Sequence, residues 1–259
     1  MNYQSMLKYI KEGLLNVVFP LHCKVCGKPI RESMGYSVCE ECLKTIKFIE
    51  NPCCAKCGKP LNRTSFFSSH NNILCVNCKK HHYFFDYARS VGIYDSTLKK
   101  CIHLFKYYQE KKLTKPLGRL LVNYLSDNKE LLQGIDLIIP VPLHNNDLKK
   151  RGFNQSYLLA VEVGNYFSIP VNKDLLIKNR ITTSQVKLSK SERGKNLLKA
   201  FLVKKTKSLK NKNILLIDDV FTTGTTVTEC SRELKKALAR HVWVLTLARG
   251  MLDPLTVFP

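Results

Sequence analysis

Two adjacent carboxylates, Asp218 and Asp219, stand just ahead of Thr222, Thr223, Gly224, Thr225 and Thr226. Carboxylates so placed hold sugar hydroxyls, directly or through a divalent cation. Backbone N–H groups and hydroxyls at the start of a helix hold phosphate, with the helix dipole in favour. The run thus has a sugar end and a phosphate end. No Gly-Lys-Ser or Gly-Lys-Thr follows it, so a P-loop does not account for it.

The other residues suited to chemistry are cysteines. They fall in four C-x-x-C pairs: Cys23/Cys26, Cys39/Cys42, Cys54/Cys57 and Cys75/Cys78. That spacing lets two thiolates reach one tetrahedral metal, and Gly27 and Gly58 supply a permissive backbone directly after two of the pairs. Eight such cysteines imply up to two four-cysteine zinc sites. A complete thiolate shell leaves no open position, so the sites are read as structural. Disulfides need an oxidising compartment, and the chain shows no sign of export; a redox role for one pair does not explain four. Linear pairing (23/26 with 39/42, 54/57 with 75/78) and interleaved pairing fit equally well. Cys53 can exchange with Cys54, and His70, His81 and His82 are alternative ligands or solvated loop residues.

Elements must carry these groups. Ile214–Ile217 reads as a buried strand that ends in the acid pair, and VTECSRELKKALA (227–239) as the helix after the Thr/Gly loop. Upstream, SVGIY (90–94), IDLIIPV (135–141) and HVWVLTLA (241–248) read as strands. STLKKCIHLFKYY (96–108) and NQSYLLAVEVGNYF (154–167) read as helices, the first with Leu98, Ile102, Phe105 and Tyr108 on one face. Alternating strands and helices from Asp86 onward predict an α/β domain over 86–259. Residues 1–85, poor in long apolar runs, form a small zinc domain that needs its metal to fold. No internal repeat beyond the cysteine pairs stands out, and KKTKSLKNK (204–212) is the most exposed connector.

The 259 residues carry 42 Lys+Arg against 20 Asp+Glu, a net charge of +22. From Asp86 onward there are thirty basic and fifteen acidic residues. Lysine clusters with Tyr107, Tyr108, Phe153 and Tyr157 among them make a footprint suited to nucleic acid, with bases stacked on the rings. Biased base composition in the genome accounts for a lysine-rich chain equally well. Leu7, Ile10, Leu14, Val17 and Val18 share one helical face in the first nineteen residues. That stretch is too short to span a bilayer and lacks a small-residue cleavage site. It is read as a helix packed on the zinc module or a partner, with peripheral membrane contact as the weaker alternative.

ILLIDDVFTTGTT (214–226) resembles the 5-phosphoribosyl-1-pyrophosphate (PRPP) signature of type I phosphoribosyltransferases. FPLHCKVCG (19–27), FKYY (105–108), PVPLHNNDLKKRGFNQS (140–156), RITTSQVKLSKSERGKN (180–196) and VLTLAR (244–249) extend the likeness to nearly the whole chain. Together they resemble the ComF family of competence proteins. The resemblance implies a type I phosphoribosyltransferase-like α/β fold with an N-terminal zinc domain, and a role in natural transformation. It implies that Asp218 and Asp219 face the ribose hydroxyls, that Thr222–Thr226 hold the 5′-phosphate, and that Mg²⁺ accompanies PRPP. The loop shaped by Val141, Pro142 and Leu143 holds pyrophosphate, with Arg151 reaching the anion or lying in solvent and Lys106 contacting a phosphate. Arg180, Gln185 and Arg193 fall in a hood over an acceptor.

Two functions follow. One is a cytosolic DNA-uptake factor that binds single-stranded DNA and a PRPP-like ligand, alongside competence-machinery proteins. The other is an active phosphoribosyltransferase using a base or nucleotide acceptor. The 180–196 segment has no aromatic to stack on a purine, which favours the first. No general base and no N-terminal cysteine nucleophile stands out.

Overall fold

A computed structural model describes residues 21–30, 37–61, 73–179 and 200–251. Among the described residues, two short helices come first, α1 (Glu40–Lys44) and α2 (Val76–Lys80). Then follow β1 (Tyr87–Ile93), α3 (Ser96–Tyr107), α4 (Thr114–Asp127), β2 (Leu137–Pro140), α5 (Asn145–Arg151) and α6 (Gln155–Phe167). β3 (Leu176–Lys178), β4 (Phe201–Val203), β5 (Asn213–Phe221), α7 (Thr225–Lys236) and β6 (His241–Arg249) complete the described elements.

β1, β6, β5 and β2 form one parallel sheet in that order. Parallel strands need crossover helices, so both faces are covered and the two central strands, β5 and β6, are mostly apolar. Side chains alternate across β5: Leu215 and Ile217 join one core cluster, Ile214 and Leu216 the other. The first cluster lies under α3, α4 and α6, and the second under α7 and the antiparallel β3–β4 pair. Cys23, Cys39 and Cys42 belong to the first cluster; Cys54, Cys57 and Cys75 belong to the second. The cysteine-rich segment is therefore split between the two faces of the sheet.

Four expectations are revised. β5 does not end at the acid pair but runs through it to Phe221, because pairing with β6 continues to Phe221↔Arg249. The following helix begins at Thr225 rather than Val227, with Gly224 as its N-cap at φ +78°. Tyr108 leaves the buried face of α3: it caps the helix and is 63% exposed, while Leu98, Ile102 and Phe105 are buried. Leu209 is buried within the otherwise exposed 204–212 connector, tying it to the second core. α4, absent from the pattern reading, buries Leu117, Leu121 and Leu125.

Candidate functional site

The two cysteine groups repeat one local design. Cys23 N–H donates to the Lys28 carbonyl and Gly27 N–H to that of Cys23, both at 2.8 Å. Cys54 N–H to Lys59 and Gly58 N–H to Cys54 repeat those bonds at the same distance. Gly27 and Gly58 have φ of +75° and +68°, the left-handed turn that glycine adopts without penalty. Cys39 and Cys75 each stand at the start of a short helix that carries the second cysteine of its pair. The sequence signal is Cys-Gly-Lys-Pro at 26–29 and again at 57–60, an internal repeat beyond the cysteine pairs.

The Sγ atoms of Cys23, Cys26, Cys39 and Cys42 lie within 4.8 Å of one another, as do those of Cys54, Cys57, Cys75 and Cys78. This is the linear pairing of the two left open. Backbone N–H groups of Val25 and Cys39 point at Cys23 Sγ (3.4 Å each), and that of Cys75 at Cys54 Sγ (3.3 Å). N–H groups aimed at sulfur stabilise thiolate, so each donor set fits Zn²⁺. Zinc in such a shell supplies a structural cross-link. Cys53 is not in the second group; its thiol faces Asn51 Oδ1 at 3.3 Å. His81 and His82 are in neither group, and His70 lies outside the described residues.

The acid pair and the Thr/Gly loop lie at the carboxyl end of β5, flanked by β6 and β2, where open α/β sheets take ligands. Asp218 Oδ1 accepts from Ser156 Oγ at 2.9 Å and from Asp219 N–H at 2.9 Å. Burial, then the neighbouring Asp219 charge, pushes its carboxyl up to about 7. Asp219 pairs with Lys106 at 2.6 Å. Burial alone would pull that ammonium down, but Asp219 outweighs it and holds Lys106 above its ordinary value.

The loop is partly pre-organised. Thr223 Oγ1 is 2.7 Å from Thr225 Oγ1 and accepts from Thr225 N–H at 3.4 Å. Thr222, Thr223, Thr225 and Thr226 are half-buried and Gly224 is buried, so the helix start stays reachable from solvent. A Cβ built on Gly224 falls 2.5 Å from Phe221 Cζ and 3.2 Å from Tyr83 Cε1, so only glycine fits.

Arg151 ends α5 and donates from Nη1 to Gln155 Oε1 at 3.3 Å, leaving the buried Gln155 Nε2 unpartnered. Its guanidinium lies 5.2 Å from the centroid of Tyr107. Val141 is buried; Pro142 and Leu143 are half-buried. Tyr107 and Tyr108 are 52% and 63% exposed, but Phe153 is 7% exposed and packs on Phe105, so it offers no stacking surface. It anchors the corner between α5 and α6. Tyr157 is half-buried, with Lys173 at 5.1 Å from its ring. Ser156, Tyr83 and Arg249 were missed as candidate functional residues. Ser156 and Arg249 stand within quoted motifs, but only the fold brings them to the acids and the second cysteine group. Arg180, Gln185, Arg193 and the first twenty residues lie outside the described residues. Among the described residues, no helix is long and apolar enough to cross a membrane.

Residues 14–79 match the double zinc ribbon domain and residues 154–254 the phosphoribosyl transferase domain. The chain is 32% identical over 216 residues to competence protein F of Haemophilus influenzae, covering 82% of this chain and 90% of that one. It is 29% identical over 231 residues to the DNA utilization protein YhgH of Escherichia coli, covering 86% and 95%. With competence protein ComFC of Bacillus subtilis it shares 28% identity over 220 residues, covering 82% and 84%. A solved glutamine PRPP amidotransferase from B. subtilis matches 51% of this chain and 25% of its own at 22% identity and a TM-score of 0.35, too slight a likeness to argue from.

Proposed function

The chain belongs to the ComF family of competence proteins, and from that premise we propose that it handles incoming single-stranded DNA in the cytosol and binds a PRPP-like phosphoribosyl ligand. The observation that carries the ligand reading is the juxtaposition at the end of β5. Two carboxylates and a Thr/Gly helix start follow one another within nine residues, 218–226. Asp218 and Asp219 take the ribose hydroxyls, and Thr222–Thr226 take the 5′-phosphate. Lys106, paired with Asp219, and Arg151, held by Gln155 and the Tyr107 ring, are the cations for the remaining phosphates. Lys106 does so by exchanging its present partner, Asp219, for the ligand.

The acid pair offers hard oxygen ligands suited to Mg²⁺, which supplies charge neutralisation on a pyrophosphate when bound. The eight paired cysteines hold two zinc ions. DNA binding rests on the +22 charge and on the exposed rings of Tyr107, which lies against Arg151, and of Tyr108; both offer surface to unpaired bases.

Calorimetry with PRPP and Mg²⁺ tests the ligand reading. Asp218→Asn with Asp219→Asn is expected to weaken binding at least tenfold, about 1.4 kcal/mol. Equal affinity in wild type and double variant removes it. DNA binding is tested by its salt dependence. Affinity is expected to fall by about 0.7 log units per tenfold salt for each phosphate neutralised. Charge reversal at Lys204, Lys205, Lys207 and Lys210 flattens that slope without changing zinc content; an unchanged slope moves the DNA path elsewhere.

A further inference from the structure

Arg249, the last residue of β6, is 6% exposed. Its Nη1 donates to the Cys57 carbonyl at 2.5 Å and its Nη2 reaches Cys57 Sγ at 3.2 Å. Its guanidinium also lies 4.4 Å from the centroid of Phe221. Phe221 ends β5, and its ring is the atom group that meets Gly224 of the phosphate loop. The Gly250 N–H donates to the Phe221 carbonyl at 2.9 Å, so backbone and ring are both fixed from the Arg249 side.

A second path runs from the same cysteine group. Tyr83, five residues after Cys78, stacks on Phe85 with centroids 5.1 Å apart. Phe85 meets Phe221 edge-on at 6.0 Å, and the Tyr83 ring itself closes over Gly224. Both paths end on one turn. Phe221 cannot shift without moving Gly224, and Gly224 has no side chain with which to take up slack.

Electrostatics explains why an arginine stands there. A zinc ion with four thiolates carries a net charge of about −2. Cys54 and Cys57 are almost fully buried, so that charge needs a cation in contact with it. The planar guanidinium meets the requirement on one edge and presents its face to Phe221 on the other, which a lysine ammonium cannot do. Cys57 sulfur, which zinc would hold as thiolate, meets one edge of the arginine, and the arginine's face meets the ring that shapes the loop.

We propose that Arg249 is a positioning residue that couples the second cysteine cluster to the phosphate loop, so that zinc held by Cys54, Cys57, Cys75 and Cys78 and anion held by Thr222–Thr226 stabilise one another. The inference rests on the phosphoribosyl reading of that loop and adds a metal-dependent support to it. Linkage requires the effect to be reciprocal.

The test uses the full-length zinc-loaded protein and ribose 5-phosphate as the probe. Zinc release to a colorimetric chelator is followed with and without saturating probe. One zinc per chain is expected to leave about fivefold or more slowly when the probe is bound, within the usual range of coupling between sites. Cys78→Ser, which leaves only the first cluster intact, is expected to show no such protection; Cys26→Ser, which leaves only the second, is expected to keep it. Arg249→Lys retains the charge but not the fork and face. It is expected to keep two zinc ions yet bind the probe about fivefold more weakly. Equal release rates with and without probe, in protein that binds it, overturn the coupling. So does an Arg249→Lys variant with wild-type affinity. Wild-type protein that binds neither ribose 5-phosphate nor PRPP overturns the phosphoribosyl reading as well, which separates the two failures.

Discussion

The first cysteine cluster leaves Cys26 exposed at one corner, whereas the second buries Cys54, Cys57 and Cys75 and leaves Cys78 half-buried. Their surroundings differ more than their knuckles do. The first is tied to α3 and the loop after it by polar contacts near the surface: Lys24 and Ser37 both reach Glu110, and Thr45 Oγ1 lies 2.8 Å from Thr97 Oγ1. The second is tied to the end of the sheet by a buried arginine and by three rings in contact, Tyr83 stacked on Phe85 and Phe85 edge-on to Phe221. One repeated turn thus serves as an outer brace on α3, which carries Lys106, and as an inner wall of the Thr/Gly loop. Local sequence makes the metal site; the face of the sheet it packs against sets what the metal supports.

The largest expected contrast comes from removing one metal at a time. Cys57→Ser is expected to lower the melting temperature well beyond Cys26→Ser, since it takes the sulfur away from the buried Arg249 and leaves that cation only the Cys57 carbonyl and the Phe221 ring. Thermal denaturation with zinc quantification checks this. Equal shifts would mean that the two clusters contribute alike and would erase the distinction.

Gly224→Ala sharpens the same contrast without touching a cysteine. The left-handed backbone and the contact with Phe221 are expected to cost about 1–3 kcal/mol. Denaturant unfolding measures it, and zinc retention in the second cluster should fall while the first is unaffected.

The pH dependence of ligand binding tests the acids. Folded Asp218 is raised to about 7 from an ordinary 3.8, so it is protonated at pH 6 and ionised at pH 8. Folding holds that proton more tightly than the unfolded chain does. The stability contribution of Asp218 is therefore full at low pH and is lost as the pH rises through about 7. Sugar hydroxyls and Mg²⁺ favour the ionised form, so PRPP affinity is expected to rise between pH 6 and 8. Titration calorimetry on wild type and Asp218→Asn decides it; a rise that survives in the variant assigns the titration to another group.

The smallest effect belongs to the surface ties of the first cluster. Lys47→Ala, which breaks the 2.9 Å pair with Asp95, is expected to change stability by less than about 1 kcal/mol and ligand affinity not at all. A larger loss would show that the outer brace carries more than its exposure suggests.

Much of this was legible in the chain. Short continuous apolar runs place most strands, because the sheet is covered on both faces, and a period of 3.6 places most helices, because one buried face imposes its spacing on apolar residues. C-x-x-C pairs announce metal, because thiolate reach fixes ligand spacing. The acid pair and its Thr/Gly loop are legible as one motif, because its parts are contiguous. The sequence by itself thus determined the family, the two zinc sets as donor types and the contiguous acid-pair and Thr/Gly run on which the phosphoribosyl proposal rests. Tertiary structure decided the rest: that the cysteine sets pair linearly, that they lie on opposite faces of the sheet, and that Lys106 meets Asp219. It also decided that Arg249 joins Cys57 to Phe221 across 192 residues of chain separation. Such contacts leave no periodic trace, because they depend on which strands become neighbours in the sheet and not on the spacing along any one of them.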